Sequence, residues 1–404
     1  MERKLIILDD DPTGIQTVHG CLLVTDWNED TINMALTDRE PFFYILTNTR
    51  ALTRQEAAAV VREVMETVIR VNARYGFPLV FISRSDSCLR GHFPLETDVM
   101  REVLRENGIP VWPKVPFVPA FIEAGRVTVG GVHYMKEGDK LIPVSETEFA
   151  RDNVFGYHTS VLSDYIVEKG EDPAGYQIVD AASYDELYAW VDGFGRETGD
   201  FPGAVVIRSS SSLPKAMSGI PDIPLLDRTA VVPGNGGPGC FVAGSHVGRT
   251  TRQLEQLLSC DGTFGMEIPV GRILEDSRPL FKEIRDAVAS AVGKGYTPVL
   301  YTSRSELRLP DADSRQHLGR QISAFLVDLV RDLPFTPSYL VAKGGITSND
   351  ILTGGLQVKS ARVLGQVIPG VPCIKAGRLP YIIFPGNVGN DGSLKEVYQK
   401  LKSN

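Results

Sequence analysis

Short apolar runs that stop abruptly at polar residues, separated by stretches of helical spacing, set the pattern of this chain. The first run, residues 5–8, closes on Asp9, Asp10 and Asp11 and then on a Pro-Thr-Gly turn. A run this short and this apolar predicts a strand covered on both faces, as in a parallel sheet. Residues 42–47 predict a second strand. Residues 54–75 follow with Val60, Val61, Val64, Val68 and Val71 at the spacing of an amphipathic helix, stopped by Gly76-Phe77-Pro78. Residues 79–82 predict the next strand, which runs into Ser83-Arg84-Ser85-Asp86-Ser87. Strand, helix and strand of these lengths predict a right-handed βαβ unit. Residues 178–181 and 204–207 repeat the theme.

From Leu213 to Gly239 the texture changes to prolines (Pro214, Pro221, Pro224, Pro233, Pro238) and glycines, which predicts a linker and a domain boundary near residue 230. The second half then restarts. Residues 240–244 read as a strand, 249–258 as a helix, 298–302 as a strand and 318–333 as an amphipathic helix. A strand over 339–342 runs into Lys343-Gly344-Gly345-Ile346-Thr347. The expected fold class is α/β: two α/β lobes with largely parallel sheets and an interdomain cleft, the first domain over 1–230 and the second over 231–404.

Size and composition agree with that division. At about 150 residues per domain, 404 residues make two domains or three. The hydrophobic fraction of 43% and charged fraction of 23% are those of an ordinary globular protein. A net charge of -8 argues against a nucleic-acid partner. No apolar stretch approaches the roughly 20 residues that span a membrane, and no sustained apolar region precedes Asp9 to serve as a signal peptide. Cys21, Cys88, Cys240, Cys260 and Cys373 are scattered and form no CxxC pair, so neither a zinc site nor a disulfide framework is expected. The chain reads as cytoplasmic, with reduced thiols.

Three constellations carry candidate chemistry. The first is Asp9, Asp10, Asp11 and Thr13, placed where open α/β sheets bind ligands, beyond the carboxyl end of a strand. Adjacent carboxylates repel; a proton, a cation or a hydroxylated ligand relieves them. Such a carboxylate serves as general base on a hydroxyl or holds a cation, and a helix N-cap is the plainer alternative for any one of them. The second is the run from Ser83 to His92. Arg84 and Arg90 suit a carboxylate or phosphate clamp, and Asp86 and Ser87 suit sugar hydroxyls; the alternative is a surface ion pair between Asp86 and an arginine. The third is Gly244-Ser245-His246, Gly344-Gly345-Ile346-Thr347 and Pro385-Gly386-Asn387-Val388-Gly389. Glycine lets backbone amides approach phosphate oxygens, although ordinary turns need glycine too. None of these has Walker A or dinucleotide-fingerprint spacing. The six histidines lack metal-site spacing and read as structural, His19 and His92 being the two near the acidic motifs. No GxSxG elbow occurs. Residues 209–212, four serines, read most simply as a polar loop, with phosphate binding by hydroxyls after a strand as the alternative.

These residues together resemble the four-carbon acid sugar kinase family. Its Asp-Asp-x-Thr-Gly motif is matched by Asp10-Asp11-Pro12-Thr13-Gly14, and its Asp-Ser-Thr-Leu-Arg-Gly motif by Asp86-Ser87-Cys88-Leu89-Arg90-Gly91. Pro119-Ala120-Phe121 with Gly125-Arg126, Gly244-Ser245, Gly344-Gly345-Ile346-Thr347, Pro369-Gly370-Val371-Pro372 and Gly386-Asn387-Val388-Gly389 follow in the family's order, over nearly the whole chain. The resemblance implies an N-terminal domain that binds a sugar acid, a C-terminal domain that binds ATP with Mg2+, and transfer of a phosphoryl group to a hydroxyl of a threonate, erythronate or 3-oxo-tetronate type of acid. It implies Asp11 and Asp86 as catalytic. Asp10, Thr13, Arg84, Ser87, Arg90 and Gly91 would bind substrate. Ser245, Gly344, Gly345, Thr347, Gly386, Asn387 and Gly389 would bind nucleotide. Magnesium would be held more by phosphate and water than by a protein cage, so no metal ligand is assigned. The expected partner is a small sugar acid, with no nucleic acid and no membrane, and the family suggests a homodimer. The chain departs from the family pattern at Pro12, at residues 15–20, at Cys88 in place of threonine and at Ile346 in place of aspartate. A nucleotide-independent lyase or isomerase and a non-catalytic sensor of sugar acids are the rival classes; dependence on ATP separates the kinase from both.

Overall fold

The computed structural model describes residues 3–402 apart from 233, 235, 245–247, 305–311 and 387, and the chain divides into two units, Met1–Asp222 and Ile223–Asn404. In the first unit the strands are β1 (Lys4–Asp9), β2 (Leu22–Val24), β3 (Phe42–Leu46), β4 (Leu79–Arg84), β5 (Val115–Val118), β6 (Arg126–Val129), β7 (Val132–Glu137), β8 (Lys140–Pro143), β9 (Tyr176–Ile178) and β10 (Val205–Ser209). Their order in the main sheet is β2-β3-β1-β4-β10-β5-β9. The pairings within it are parallel, with Asp9 opposite both Leu46 and Arg84, and Ser209 opposite Arg84. The strand ends therefore share one edge. The chain runs from β1 to β2 and β3 on one side, then crosses to β4 on the other. The order reverses at β1, which makes the carboxyl end of β1 the place where such sheets bind ligands.

The crossover from β3 to β4 is the helix Arg54–Asn72. Thr53 caps it: its hydroxyl accepts from the Glu56 amide while the Glu56 carboxylate accepts from the Thr53 amide, a reciprocal capping box. Val61, Val64, Met65, Val68 and Val71 bury one face against Ile6, Leu8, Phe43, Phe81 and Val206 of the sheet. The helix ends at Asn72, short of residue 75, because the Tyr75 and Gly76 amides both turn back to the Asn72 carbonyl. Strands β6, β7 and β8 form a separate antiparallel sheet.

Two expectations are corrected here. The strand expected over 178–181 is β9, Tyr176–Ile178, because its pairing with β5 runs out at Phe117 and Asp180 instead accepts from the amides of Gly130 and Gly131. The stretch from Leu213 is not uniformly a linker. A helix spans Ser212–Ser218 with Leu213, Pro214, Lys215 and Ala216 buried, and a further turn of helix, Arg228–Val231, is capped by Asp227. Pro214 lies in the first turn of its helix, where a missing N–H breaks no bond.

In the second unit the strands are β11 (Cys240–Ala243), β12 (Thr263–Ile268), β13 (Thr297–Thr302), β14 (Leu340–Lys343), β15 (Ser360–Ile368), β16 (Val371–Ala376) and β17 (Leu379–Phe384), ordered β12-β13-β11-β14-β17-β16-β15. β12, β13, β11, β14 and β17 pair in parallel. β15, β16 and β17 form an antiparallel meander that the apolar pattern did not predict. Two-residue turns make it, with Gly370 and Gly377 at φ of 77° and 61°. The second core gathers Phe241, Leu254, Val341, Ile382, Phe384 and Leu394. Among the described residues no helix is long and apolar enough to cross a membrane.

Candidate functional site

β1 delivers its three carboxylates to the sheet edge in three different environments. Asp9 is fully buried and its Oδ1 accepts from Arg84 Nη1 at 3.0 Å. Gly14 covers it so closely that a Cβ there would collide with Asp9 Oδ2. Burial pushes the Asp9 carboxyl up to about 7, against the pull of Arg84. Asp10 accepts from Arg50 Nε at 3.1 Å and from the Ser85 hydroxyl. Asp11 accepts from the Thr13 amide at 2.8 Å and from the Thr13 hydroxyl, and stands 3.4 Å from Arg50 Nη1. Burial opposes the charge on Asp11, but Arg50 and then Thr13 outweigh it and hold the carboxyl below its ordinary range. The helix-cap alternative fails for Thr13, which makes no side-chain cap to the short helix Gly14–Thr17 and bonds back to Asp11. The mutual repulsion of the acids is thus relieved by Arg50 and Arg84 from the neighbouring strand ends.

The turn after β4 carries the second constellation. The Ser85 amide donates to the Ser209 carbonyl at 2.9 Å, continuing the β4–β10 ladder past the strand ends. Asp86 accepts from Arg90 Nε at 2.7 Å, and this pair is largely buried rather than a solvated surface pair. Burial opposes the Asp86 charge, yet Arg90 and then Arg50 hold its carboxyl down at about 2. The Arg90 guanidinium also lies 4.9 Å from the Phe149 ring centre and 3.7 Å from Asp152. Ser87 presents its carbonyl to His133 Nε2 at 2.8 Å, and burial lowers His133 to about 4, so it stays neutral. Gly91 has φ of 127°, and a Cβ there would collide with the Ser85 hydroxyl and come within 3.0 Å of Asp10 Oδ2. Arg84, expected as a substrate clamp, gives Nη1 to Asp9 and Nη2 to the Ser211 hydroxyl at 2.9 Å. His92 and His19 each place Nε2 against a backbone carbonyl, of Leu52 and Pro221 respectively.

Several residues of this edge escaped the sequence reading. Arg50 is one. Glu96 and Arg208 form a buried pair at 2.6 Å, to which Ser83 and Thr49 add hydroxyl donors at 2.8 and 2.6 Å. The serines of 209–212 are all buried; Ser209 closes β10 and Ser211 holds Arg84. A usable signal was present: residues 204–207 break into an arginine and four serines just as β1 breaks into acids, and residues 42–46 break into Thr47-Asn48-Thr49-Arg50.

In the second unit, β14 ends at Lys343 and Gly344, whose φ of 108° carries the chain into the helix Gly345–Asp350. A Cβ on Gly244 would lie 2.5 Å from the Thr347 hydroxyl, so the turns after β11 and β14 are in contact. Lys343 is fully buried over the Phe384 ring, and its Nζ donates to the carbonyls of Pro385, at 2.5 Å, and Gly386, at 3.2 Å. Burial first, then Arg249, pushes its ammonium down to about 7. Gly389, at φ of 81°, packs on Ser393, and Gln253 Nε2 donates to the carbonyls of Val388 and Asn390. The three glycine turns thus meet at the edge of β11, β14 and β17. Gly344, Gly345, Thr347, Gly386 and Gly389 are in this group; Ser245 and Asn387 lie outside the described residues. Gly244 and Gly389 lack room for a Cβ, whereas Gly386 has open space around it; glycine turns of this kind suit close approach by phosphate oxygens. Magnesium fits the protein less well. Among the described residues no group of three His, Cys, Asp or Glu side chains could hold a metal, and Asp10 and Asp11 already face Arg50.

Residues 5–186 match the sugar-binding N-terminal domain and residues 240–394 the nucleotide-binding C-terminal domain. Over 180 residues the chain is 28% identical to a D-erythronate kinase of Heliobacterium modesticaldum, a match that covers 43% of this chain and 38% of that protein's length. The fold is similar to a Haemophilus influenzae protein from a family named for a domain of unknown function, with TM-score 0.63, 16% identity and coverage of 98% of this chain and 100% of that one. It is similar also to a Salmonella typhimurium LT2 protein provisionally described as a tRNA synthase, with TM-score 0.66, 16% identity and coverage of 97% and 98%. At such identities the structural likeness speaks for the fold alone.

Proposed function

The chain belongs to the four-carbon acid sugar kinase family, and from that premise we propose that it is an ATP-dependent kinase phosphorylating a hydroxyl of a four-carbon sugar acid of the threonate, erythronate or 3-oxo-tetronate type. The observation that carries this reading is the pairing, in one chain, of a sugar-binding domain bearing two ionised carboxylates at a sheet switch point with a nucleotide-binding domain. Kinases work mainly by positioning and charge neutralisation. Asp11 and Asp86, both held charged, accept the hydrogen bond of the attacking hydroxyl and aim its oxygen. With carboxyls this acidic, alignment counts for more than proton abstraction before transfer. Arg90, with Ser87, Thr13 and the Gly91 backbone, holds the substrate's carboxylate and remaining hydroxyls. Asp10 and Arg84 keep the site assembled, since Arg50, Asp9 and Ser211 already engage them. The turns at 344–347 and 386–389, with Ser245 and Asn387, would hold the nucleotide phosphates, and a magnesium ion would be held by those phosphates and water and would neutralise their charge. ATP supplies the transferred phosphoryl group.

The test is ADP release with Mg-ATP across three- to six-carbon sugar acids, 3-oxo acids included. A strong signal with one four-carbon acid is expected. Conversion of a sugar acid without ATP, or silence together with no shift in melting temperature on adding ATP, overturns the kinase.

A further inference from the structure

The sugar-binding domain carries a cation at its carboxylates for which the motifs give no role. Arg50 stands in the turn after β3, and that turn is stitched to the backbone of the acids themselves. The amides of Thr47 and Asn48 donate to the Asp9 carbonyl at 2.9 and 3.2 Å, and the Arg50 amide donates to the Asp10 carbonyl at 3.3 Å. Asn48 takes a left-handed φ of 50° to make this return possible. The side chain is then clasped. Nε and Nη2 reach the two oxygens of Asp10 at 3.1 and 2.5 Å. A two-point clasp fixes the plane of a guanidinium, so the position of Nη1, 3.4 Å from Asp11 Oδ2, is set by Asp10. Asp10 is itself immobile: it is 1% exposed and holds the Ser85 hydroxyl as well.

We propose that Arg50 is a positioning residue of the transfer site: pinned by Asp10, it fixes the Asp11 carboxylate and places its positive charge against it. The reaction this serves is the kinase reaction proposed above; the charge balance itself does not depend on that reading. The other charged groups around the pair are Asp9, Asp10, Arg84 and Arg90, with Asp152 next to Arg90. His133, behind Ser87, is neutral above pH of about 4 and adds no charge. Arg84 is committed to Asp9 and Ser211, and Arg90 to Asp86. Among the described residues Arg50 is thus the arginine with an ion-pair contact to Asp11. An opposite charge at this range lowers a carboxyl by about 1–3 pH units, and its removal raises the carboxyl correspondingly.

The experiment is the titration of the whole chain labelled with 13C at the aspartate carboxyls. The Asp11 and Asp86 signals are assigned by their loss in D11N and D86N. In R50Q the Asp11 midpoint is expected to move up by about one pH unit and in R50K by less, while Asp86, paired with Arg90 at 2.7 Å, moves less than Asp11. For an active wild type, the acid limb of kcat/KM moves with the Asp11 midpoint. An unmoved Asp11 midpoint in folded R50Q reduces Arg50 to a structural brace and overturns the proposal. Should R50Q not fold, R50K decides the matter: it keeps the charge but loses the two-point clasp, and an Asp11 midpoint and a kcat both at their wild-type values there overturn the proposal equally. A wild type that phosphorylates no sugar acid would sink the kinase reading, yet the carboxyl titration would still decide the role of Arg50.

Discussion

Arg84 donates to Asp9 at 3.0 Å, with side chains only 4% and 0% exposed. Bound in this way to Asp9, and through Nη2 to Ser211, the arginine is anchored inside the sheet edge rather than standing as a free clamp. The acid is not fully satisfied: among the described residues nothing bonds Asp9 Oδ2, which lies under Gly14. A carboxyl in such a place is better protonated than charged.

This has a consequence for stability. Asp9 titrates near 7 in the folded chain and near 3.9 once unfolded. Between those pH values the folded chain holds a proton that the unfolded chain has released. The Asp9 contribution to stability is therefore complete below about pH 4 and declines as pH rises toward 7. In D9N the amide keeps an acceptor for Arg84 and cannot ionise. Urea midpoints measured from pH 4 to 8 are expected to fall with pH more steeply in wild type than in D9N. Parallel curves would show that Asp9 stays charged. Asp11 and Asp86, held below their ordinary range, act with the opposite sign and mostly below pH 4, outside this window.

The two candidate catalytic carboxylates should be separable from nucleotide binding. D11N and D86N keep size and hydrogen-bonding shape but lose the charge. Each is expected to lower kcat about 100-fold or more while the rise in melting temperature with ADP stays at its wild-type value. Near-normal turnover in either variant removes that residue from the attacking-hydroxyl site.

Much of this edge was legible in the sequence. The apolar runs before Asp9 and Ser83 located both strands, although β4 continues through Ser83 to Arg84, and the acids of both turns followed directly. What could not be read was pairing across the sheet. Asp9, Arg84 and Ser209 are far apart in sequence and become neighbours through parallel register alone. Arg84 therefore resembled a free clamp and the serine run resembled a loop. Arg50 was hidden for the same reason: its importance lies in a turn folded back onto Asp9 and Asp10, with no local signature. In the second domain the glycine turns announced themselves. The meander did not: β16 and β17 are so largely buried that they show little alternation, and β15, whose burial does alternate, breaks its apolar pattern at Leu364 and Gly365.

Gly91 and Gly108 separate backbone strain from packing at the sugar site. Both take positive φ, 127° and 69°, but a Cβ at Gly108 meets nothing within 4 Å, whereas at Gly91 it meets Ser85, Asp10 and Arg208. G108A is expected to cost about 1 kcal/mol, the cost of the left-handed conformation alone. G91A adds displacement of the groups that hold Asp10, and is expected to cost about 1–3 kcal/mol more and to raise KM for the sugar acid without altering protection by ADP. Equal urea midpoints for the two variants would mean that the turn at 85–91 yields without disturbing the acids.

Lys343 offers a matching test in the nucleotide-binding domain. Its ammonium titrates near 7 when folded and near 10.4 when unfolded. Between those values the unfolded chain carries the extra proton, so stability rises with pH from about 7 to about 10, the reverse of Asp9. K343M removes that rise. It also strips the carbonyls of Pro385 and Gly386 of a donor, a pH-independent cost of about 1–3 kcal/mol. The diagnostic quantity is therefore the slope, not the offset: the wild-type urea midpoint should rise steadily relative to that of K343M from pH 7 to pH 10. A constant gap would mean that Lys343 remains charged throughout. Because Lys343 ties β14 to the 385–386 turn, K343M is expected also to weaken protection by ADP. Full protection would show that this turn holds its shape without the lysine.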